Sequence, residues 1–267
     1  MTNPLKQDLT TMSPKEVRAL IREGKITTST AGMCNGYAQA NLVILPQKLA
    51  YDFLLYAQRN PKPCPILEVS DAGSRNLPII ADGCDIANDF PKYWVYEHGE
   101  KIGEFTSVEQ FWRDDLVSFL IGCSYSFEVD LIEAGIEMRH QTEDHAVPMY
   151  ISNMACRPAG IFYGNTVVSM RPMSPKDAIR AAIITSAMPN VHGSPVHIGD
   201  PSQIGIKDIQ KPDFGVPDTI KEGEIPVFWC CGVTPQDAVM QAKPDFCITH
   251  APGHMLVTDV KNSKLKN

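Results

Sequence analysis

The chain has 267 residues, 43% of them hydrophobic, which is enough to bury the core of one large domain or two modest ones. Its 24 lysines and arginines face 31 aspartates and glutamates, so the net charge is −7. A nucleic-acid-binding protein needs a basic face for the phosphates, and this balance argues against that class. No segment reaches the roughly 18 apolar residues of a membrane-spanning helix, and early charges such as Lys6 and Arg18 argue against a signal peptide. We therefore expect a cytoplasmic protein that binds neither nucleic acid nor membrane.

Eight cysteines are scattered along the chain without a C-x-x-C pair. A chain of this size buries enough apolar surface to fold without disulfides. We predict that most of these thiols are free and buried.

Capping residues and apolar spacing predict the elements of the N-terminal half. Residues 13–16 combine a serine cap, a proline at the first helical position and a capping-box glutamate, so they begin a helix. Residues 46–59 form a second helix, residues 66–69 a strand and residues 93–105 a hairpin. Residues 108–120 carry apolar side chains at helical spacing, which predicts a long buried helix.

One arrangement of elements occurs twice, about sixty residues apart. A strand at residues 167–172 precedes Ser174, a proline and a helix, and a strand at residues 227–232 precedes Thr234, a proline and a shorter helix. Strand, hydroxyl cap, proline, helix and strand follow each other as in a βαβ unit. Two such units predict a partly parallel sheet whose ligand lies at the carboxyl ends of the strands, beside Ser174 and Thr234. Chance similarity between two common units is the alternative.

Together these elements predict a mixed α/β (α+β) fold, in which helices cover a layered sheet. We expect residues 1–145 to form an α+β portion with the hairpin and the long helix, and residues 146–267 a βαβ-rich portion, giving two subdomains. Either portion could borrow a strand from the other, so the domains could be discontinuous. The exposed edge of the hairpin leaves a homo-oligomer possible.

Neither a Walker loop nor a G-x-G-x-x-G fingerprint is present, and we expect no cofactor. Residues 122–126, GCSYS, resemble half of a nucleophile elbow. They lack its final glycine and follow a predicted helix instead of a strand, so a serine hydrolase is disfavoured.

Histidines on loops rich in glycine and proline are candidates for acid–base catalysis, because imidazole titrates near neutral pH. With two carboxylates that could carry protons or orient the rings, the catalytic candidates are His192, His197, His250, His254, Asp200 and Glu128. Buried structural histidines and carboxylates in caps or turns are the alternative. The histidine pairs could also chelate a metal, but the glycines and prolines between them break the one-face geometry of a specific helical site, so we expect none.

Two arginines are candidates for binding a substrate carboxylate, because a guanidinium grips a carboxylate with two parallel hydrogen bonds. Arg157 and Arg171 both lie at turns beside apolar segments. Ser174 and Thr234 mark helix N-termini that favour an anion, and Cys123 completes the candidate binding set. Surface ion pairing for the arginines and simple burial for the cysteine are the alternatives.

Motifs along the whole chain carry a family resemblance. They are YAQANLVILP (37–46), QRNPKPCP (58–65), WRDD (112–115), FLIGCSYSFE (119–128), CRPAG (156–160), VSMRP (168–172), VHGSPVHIGDP (191–201), GVTPQ (232–236) and THAPGHM (249–255). In this order they resemble, almost from end to end, the hydro-lyases whose animal relatives include D-glutamate cyclase. The resemblance implies loss of water from a small carboxylic or amino acid; in the cyclase relatives, D-glutamate closes to 5-oxo-D-proline.

The residue chemistry and the resemblance combine into one hypothesis. An arginine holds the substrate carboxylate, a histidine takes and returns protons, and Asp200 or Glu128 orients the ring. For cyclisation the base frees the substrate amine, whereas for elimination it removes a carbon-bound proton, and both stay open. The alternatives are a metal-assisted hydrolase or lyase that uses the paired histidines, and a non-catalytic carboxylate-binding protein.

Overall fold

The computed structural model describes residues 9–266. The α-helices with both ends in this range are α1 (Pro14–Arg22), α2 (Gln47–Arg59), α3 (Tyr125–Glu133), α4 (Arg139–Thr142), α5 (Pro175–Ser186) and α6 (Thr234–Ala242). The strands are β1 (Tyr37–Pro46), β2 (Ile66–Val69), β3 (Tyr93–Glu97), β4 (Glu100–Phe105), β5 (Leu116–Gly122), β6 (Met149–Ala155), β7 (Asn165–Met173), β8 (His197–Ile198), β9 (Ile225–Cys230), β10 (Phe246–His250) and β11 (Leu256–Lys261). The predicted mixture of helices and sheet is confirmed.

Local sequence signals placed several elements correctly. Ser13 and Glu16 form the expected capping box at α1, since the Ser13 amide donates to the Glu16 carboxylate at 2.9 Å and the Glu16 amide donates to Ser13 Oγ at 3.4 Å. Helix α2 and strand β2 also form, and β3 pairs with β4 in the predicted hairpin. All eight cysteines are free and buried, as expected.

The long helix predicted over residues 108–120 is wrong. The chain there forms a single 3₁₀ turn, Glu109–Phe111, and then strand β5. Every residue of β5 is buried, so both faces of the strand are covered and the alternation that marks a half-exposed strand is missing. A continuous apolar run of this kind fits helical spacing equally well.

The larger sheet has the strand order β2-β5-β1-β10-β3-β4, and β11 shares one edge of β1 with β10. All of its pairings are antiparallel. Leu42 and Ile44 of β1 pack into the core on one face, whereas Val43 and Leu45 pack on the other face with Phe53 of α2. Strands β10 and β11 of the C-terminal half thus complete this sheet, while the subdomain boundary near residue 145 stays a prediction.

The smaller sheet has the order β6-β7-β9-β8, again with antiparallel pairs. Strand β9 lies between β7 and β8, so β7 and β8 run in the same direction without touching, and β10 joins the larger sheet. The strand–helix–strand order of each predicted unit is present, but the parallel pairing is wrong. Because β7 and β9 are antiparallel neighbours, their carboxyl ends lie at opposite ends of the sheet, which separates Ser174 from Thr234.

The helices of the described range cover sheet faces and do not resemble membrane spans: none is long and apolar enough to cross a bilayer. Helix α5 packs its buried alanines, Ala178 and Ala181, on the smaller sheet together with Phe127 of α3 and Trp229 of β9. This packing fixes α3 against β7 and so determines which polar side chains meet between them.

Candidate functional site

A buried ion pair between Glu128 and Arg171 lies at the centre of the candidate site. Glu128 is in the first turn of α3, Arg171 is in β7, and the side chains are 1% and 0% exposed. Arg171 Nε donates to Glu128 Oε1 at 2.9 Å, and Nη2 donates to the same oxygen. Nη1 donates to Ser169 Oγ at 2.9 Å and Nη2 to Ser124 Oγ at 3.1 Å, so the guanidinium is bound by protein partners on all three nitrogens.

Aromatic rings pack against Arg171, and neighbouring charges keep Glu128 ionised. The guanidinium carbon of Arg171 lies 5.3 Å from the ring centroid of Phe127 and 5.5 Å from that of Trp229. Burial alone would raise the pKa of Glu128, but the charges and hydrogen bonds of His140 and Arg171 outweigh it and lower the pKa to about 2. Glu128 is therefore a fixed, ionised acceptor inside the protein.

His140, which no sequence motif marks, lies against Glu128. Its Nε2 is 3.3 Å from Glu128 Oε2, and its ring stacks on Tyr125 with centroids 5.9 Å apart and an interplanar angle of 14°. The neighbouring Gln141 donates from Nε2 to Glu128 Oε2 at 2.5 Å. Both residues belong to the short helix α4, so α4 presents an imidazole and an amide to the same carboxylate.

A cavity of about 660 Å³ opens beside α4. Its walls come from the segments 9–32 and 140–145; the residues are Leu9, Thr10, Leu20, Lys25, Ile26, Thr28, Ser29, Ala31, Gly32, His140, Gln141, Asp144 and His145. Lys25 is the one lysine or arginine among these lining residues, and Thr28 and Ser29 add hydroxyls. His140 of this lining also lies against Glu128 of the ion pair, and the volume of the cavity suits a small ligand.

A second group of titratable side chains adjoins the same wall. His145 Nε2 lies 3.1 Å from Glu143 Oε2 and 3.5 Å from Asp218 Oδ1. Burial raises the pKa of Asp218 to about 6, although His140, His145 and Arg171 partly offset it. Burial alone would lower the pKa of His145, but its hydrogen bond to the Ala146 carbonyl and the two carboxylates raise it above the ordinary value. His145 lies outside the two histidine pairs that the sequence singles out, and the sequence gives no signal for Asp218.

The turn after β5 brings Cys123 and Ser124 to the ion pair. Contrary to the prediction, residues 122–126 do connect a strand to a helix, as a nucleophile elbow does, but Ser124 Oγ accepts its hydrogen bond from Arg171. Burial raises the pKa of the Cys123 thiol well above its ordinary value, so the thiol stays protonated. Of the residues predicted from sequence, Glu128, Arg171 and Cys123 are the ones that come together here.

His192 and His250 are fully buried and line no part of the cavity. His192 Nδ1 lies 2.9 Å from the Lys62 carbonyl oxygen, and burial lowers the pKa of its ring to about 4. His250 Nδ1 accepts a hydrogen bond from the Leu42 amide at 3.1 Å, and burial lowers its pKa to about 3. Both rings are neutral at pH 7, and each leaves Nε2 without a hydrogen-bond partner.

Three further predicted catalytic residues lie on loops and edges. His197, on edge strand β8, places Nε2 2.7 Å from the Asp200 carbonyl oxygen. The Asp200 carboxylate accepts from the Ser202 amide at 2.9 Å and caps a 3₁₀ turn. His254, between β10 and β11, places Nδ1 2.9 Å from the Pro252 carbonyl oxygen. None of the three lines the cavity, and their catalytic roles stay predictions.

The other predicted binding residues also lie outside the cavity lining. Arg157 is exposed, and its amide donates to Asn60 Oδ1 at 2.8 Å. Ser174 Oγ caps α5 by accepting from the Asp177 amide at 3.1 Å. Thr234 Oγ1 donates to the Cys231 carbonyl at 2.8 Å, which holds the turn before α6. These local contacts explain the residues structurally, and substrate contact by any of them stays a prediction.

Several known proteins are similar in sequence to this chain over nearly its whole length. Residues 117–259 match the family model described as D-glutamate cyclase. Proteins named "Putative hydro-lyase" include one from Clostridium beijerinckii, 64% identical over 259 residues, which cover 97% of this chain and 99% of that protein. Another, from Bacillus subtilis, is 57% identical over 254 residues, which cover 95% of this chain and 99% of that protein. A third, from Stutzerimonas stutzeri, is 54% identical over 254 residues, covering 95% and 96%.

Proposed function

Because this chain belongs to the D-glutamate cyclase family, we propose that it is a hydro-lyase that removes water from a small carboxylic or amino acid bound in the cavity beside α4. The observation that carries the proposal is the position of His140. His140 belongs to the cavity lining, and its imidazole, 0% exposed, places Nε2 3.3 Å from the ionised Glu128 carboxylate. A carboxylate beside an imidazole orients the ring for general acid–base catalysis.

The substrate carboxylate is proposed to bind opposite α4. Lys25 brings an exposed ammonium to the cavity, in a surface pair with Glu23 at 2.6 Å that a substrate carboxylate would replace, and the hydroxyls of Thr28 and Ser29 supply hydrogen-bond donors. Arg171 enters this proposal as the partner that keeps Glu128 ionised, because its three nitrogens already donate to protein atoms. This role differs from the direct binding of a substrate carboxylate that the sequence predicted for Arg171.

The finer form of the proposal is the closure of D-glutamate to 5-oxo-D-proline. The His140 ring would take a proton from the substrate ammonium, and the freed amine would form the new C–N bond at the side-chain carboxyl carbon. The departing oxygen would then take the proton that the ring returns together with a second proton from the new C–N nitrogen, so that the C–O bond breaks and water leaves. In a simple elimination the same ring would take a carbon-bound proton instead.

Turnover of a substrate panel tests this proposal. D- and L-glutamate, related amino acids and hydroxy acids are incubated with the protein, with and without divalent cations, and mass spectrometry follows the loss of one water. We expect one substrate to be dehydrated and His140→Gln to slow its turnover by about a hundredfold or more. The matched control is His98→Gln, because His98 is an exposed imidazole on the β3–β4 hairpin.

The possible outcomes distinguish His140 from another proton carrier, and a lyase from a binding protein. Dehydration that His140→Gln leaves intact, in a variant with wild-type circular dichroism, would reject His140 as the proton carrier. Saturable binding of an acid with no dehydration by wild-type protein would replace the lyase with a carboxylate-binding protein.

A further inference from the structure

Asp218 is a buried carboxylate without a hydrogen-bond partner. The residue is 1% exposed, and within residues 9–266 neither of its side-chain oxygens has a partner. An ionised carboxylate that has left water without compensating contacts is strongly unfavourable, so buried carboxylates are normally paired or bound to a cation. His145 Nε2 lies 3.5 Å from Asp218 Oδ1, which is too far for a hydrogen bond of ordinary length.

Two further donors point to the same place as Asp218. One ligand atom each from Glu143, His145 and Asp218 can be chosen so that all three lie within 4.8 Å of one another. His145 Nε2 is 3.1 Å from Glu143 Oε2 and 3.5 Å from Asp218 Oδ1. Donors bound at about 2.0–2.2 Å from one ion lie about 3.0–3.5 Å apart, so both measured separations already suit a shared ion.

Backbone groups hold His145 and Glu143 in place, as is typical of metal-binding side chains. His145 Nδ1 lies 3.1 Å from the Ala146 carbonyl oxygen and can donate to it, so that Nε2, which faces the two carboxylates, is the nitrogen that an ion would take. A histidine that binds a metal typically donates its other ring nitrogen to a carbonyl or carboxylate in this way. The Glu143 carboxylate is held in turn by the Thr219 amide, at 3.3 Å from Oε2.

We infer that Glu143, His145 and Asp218 bind one divalent first-row transition-metal ion, such as Mn²⁺ or Zn²⁺. Two carboxylates balance the charge of the ion, and the imidazole nitrogen favours a transition metal over Mg²⁺ or Ca²⁺, which prefer oxygen donors. His145 also lines the cavity, so coordination positions left open by the protein would face the space proposed for the substrate. The paired histidines at positions 192 and 197, or 250 and 254, take no part in this group.

Metal binding by these three side chains can be measured without the proposed reaction. Full-length protein is freed of metal with a chelator, the chelator is removed, and Mn²⁺ binding is followed by the electron paramagnetic resonance of the free ion. Calorimetric titration with Zn²⁺ gives an independent stoichiometry. We expect one ion per chain, with affinity lowered about tenfold or more in His145→Gln and in Asp218→Asn.

Glu143→Gln is a third variant, at a side chain that is 30% exposed and so tolerates substitution without unfolding the protein. His98→Gln is the matched control, since His98 lies 3.7 Å from the Asp245 carboxylate but on the surface and outside this group of three. It should keep the wild-type affinity. Wild-type protein that binds neither ion, or three folded variants that bind as tightly as wild type, would overturn the site. One bound ion without any dehydration would leave the site standing and reject only the proposed function.

Discussion

The Arg171 guanidinium and the Glu128 carboxylate neutralise each other inside the protein, so the loss of either leaves the other charge buried and unpaired. We expect Glu128→Gln and Arg171→Met each to lower the free energy of unfolding by about 3–5 kcal/mol, measured by urea denaturation. The double variant should lose clearly less than the sum of the two, because it buries no lone charge. Strictly additive losses would contradict a coupled pair.

Single residues were only partly predictable at this site. Glu128 and Arg171 could be selected from sequence because charged residues beside apolar runs are unusual, but they are 43 residues apart and nothing local pairs them. His140 and Asp218 carry no motif; their importance comes from burial and from neighbours distant in the chain. By contrast, the glycine- and proline-rich loops that drew attention to His197 and His254 place those rings outside the cavity lining.

Among the elements, the turn from β5 into α3 depends on a close approach of two backbones. A Cβ atom added at Gly122 would lie 2.0 Å from the Asn190 carbonyl oxygen. We expect Gly122→Ala to lower the free energy of unfolding by about 2 kcal/mol or more, because backbone cannot yield as a side chain can. Gly103→Ala is the control, since its added Cβ would meet only the ring of Phe105. Equal losses in the two variants would show that the approach at Gly122 is not tight.

Elements were predictable where their ends or exposed faces carried a signal. The capping box located α1, and the turn between β3 and β4 located the hairpin. Strand β5 carried no such signal, because it is buried on both faces and its apolar run has no distinguishing period. Because a helix was predicted in place of β5, the strand–turn–helix geometry that places Ser124 beside Arg171 was not predicted either.

For the whole molecule, the buried rings of His192 and His250 make stability depend on pH. Their folded pKa values, about 4 and about 3, lie below the ordinary value of 6.5, so between these values the unfolded chain binds more protons. Stability is therefore full above pH 6.5 and falls as the pH drops toward 4. Each ring should contribute roughly 2–3 kcal/mol to the loss between pH 7 and pH 4.5.

Urea denaturation across this pH range checks the expectation. His192→Asn and His250→Gln should each flatten the decline, whereas His98→Gln, on the exposed hairpin, should keep the wild-type slope. Variants that decline as steeply as wild type would show that these two rings do not titrate on unfolding.

Strand order was the least predictable property of the molecule. Both C-terminal repeats were found as strand, helix and strand, but which strands become neighbours depends on packing between distant segments. Strand β9 inserts between β7 and β8, and β10 inserts between β1 and β3, and no local residue pattern encodes either insertion.

The insertion of β10 also determines when this protein can fold during its synthesis. The Leu42 amide bonds to His250, 208 residues further along the chain, and β1 gains the partners on one of its edges only from β10 and β11. Until residues 246–261 have left the ribosome, β1 and β3 remain open edges in the nascent chain, able to pair with other chains. Contacts so distant in sequence also slow the final closure of the sheet, which lengthens the time for which these two edges stay exposed.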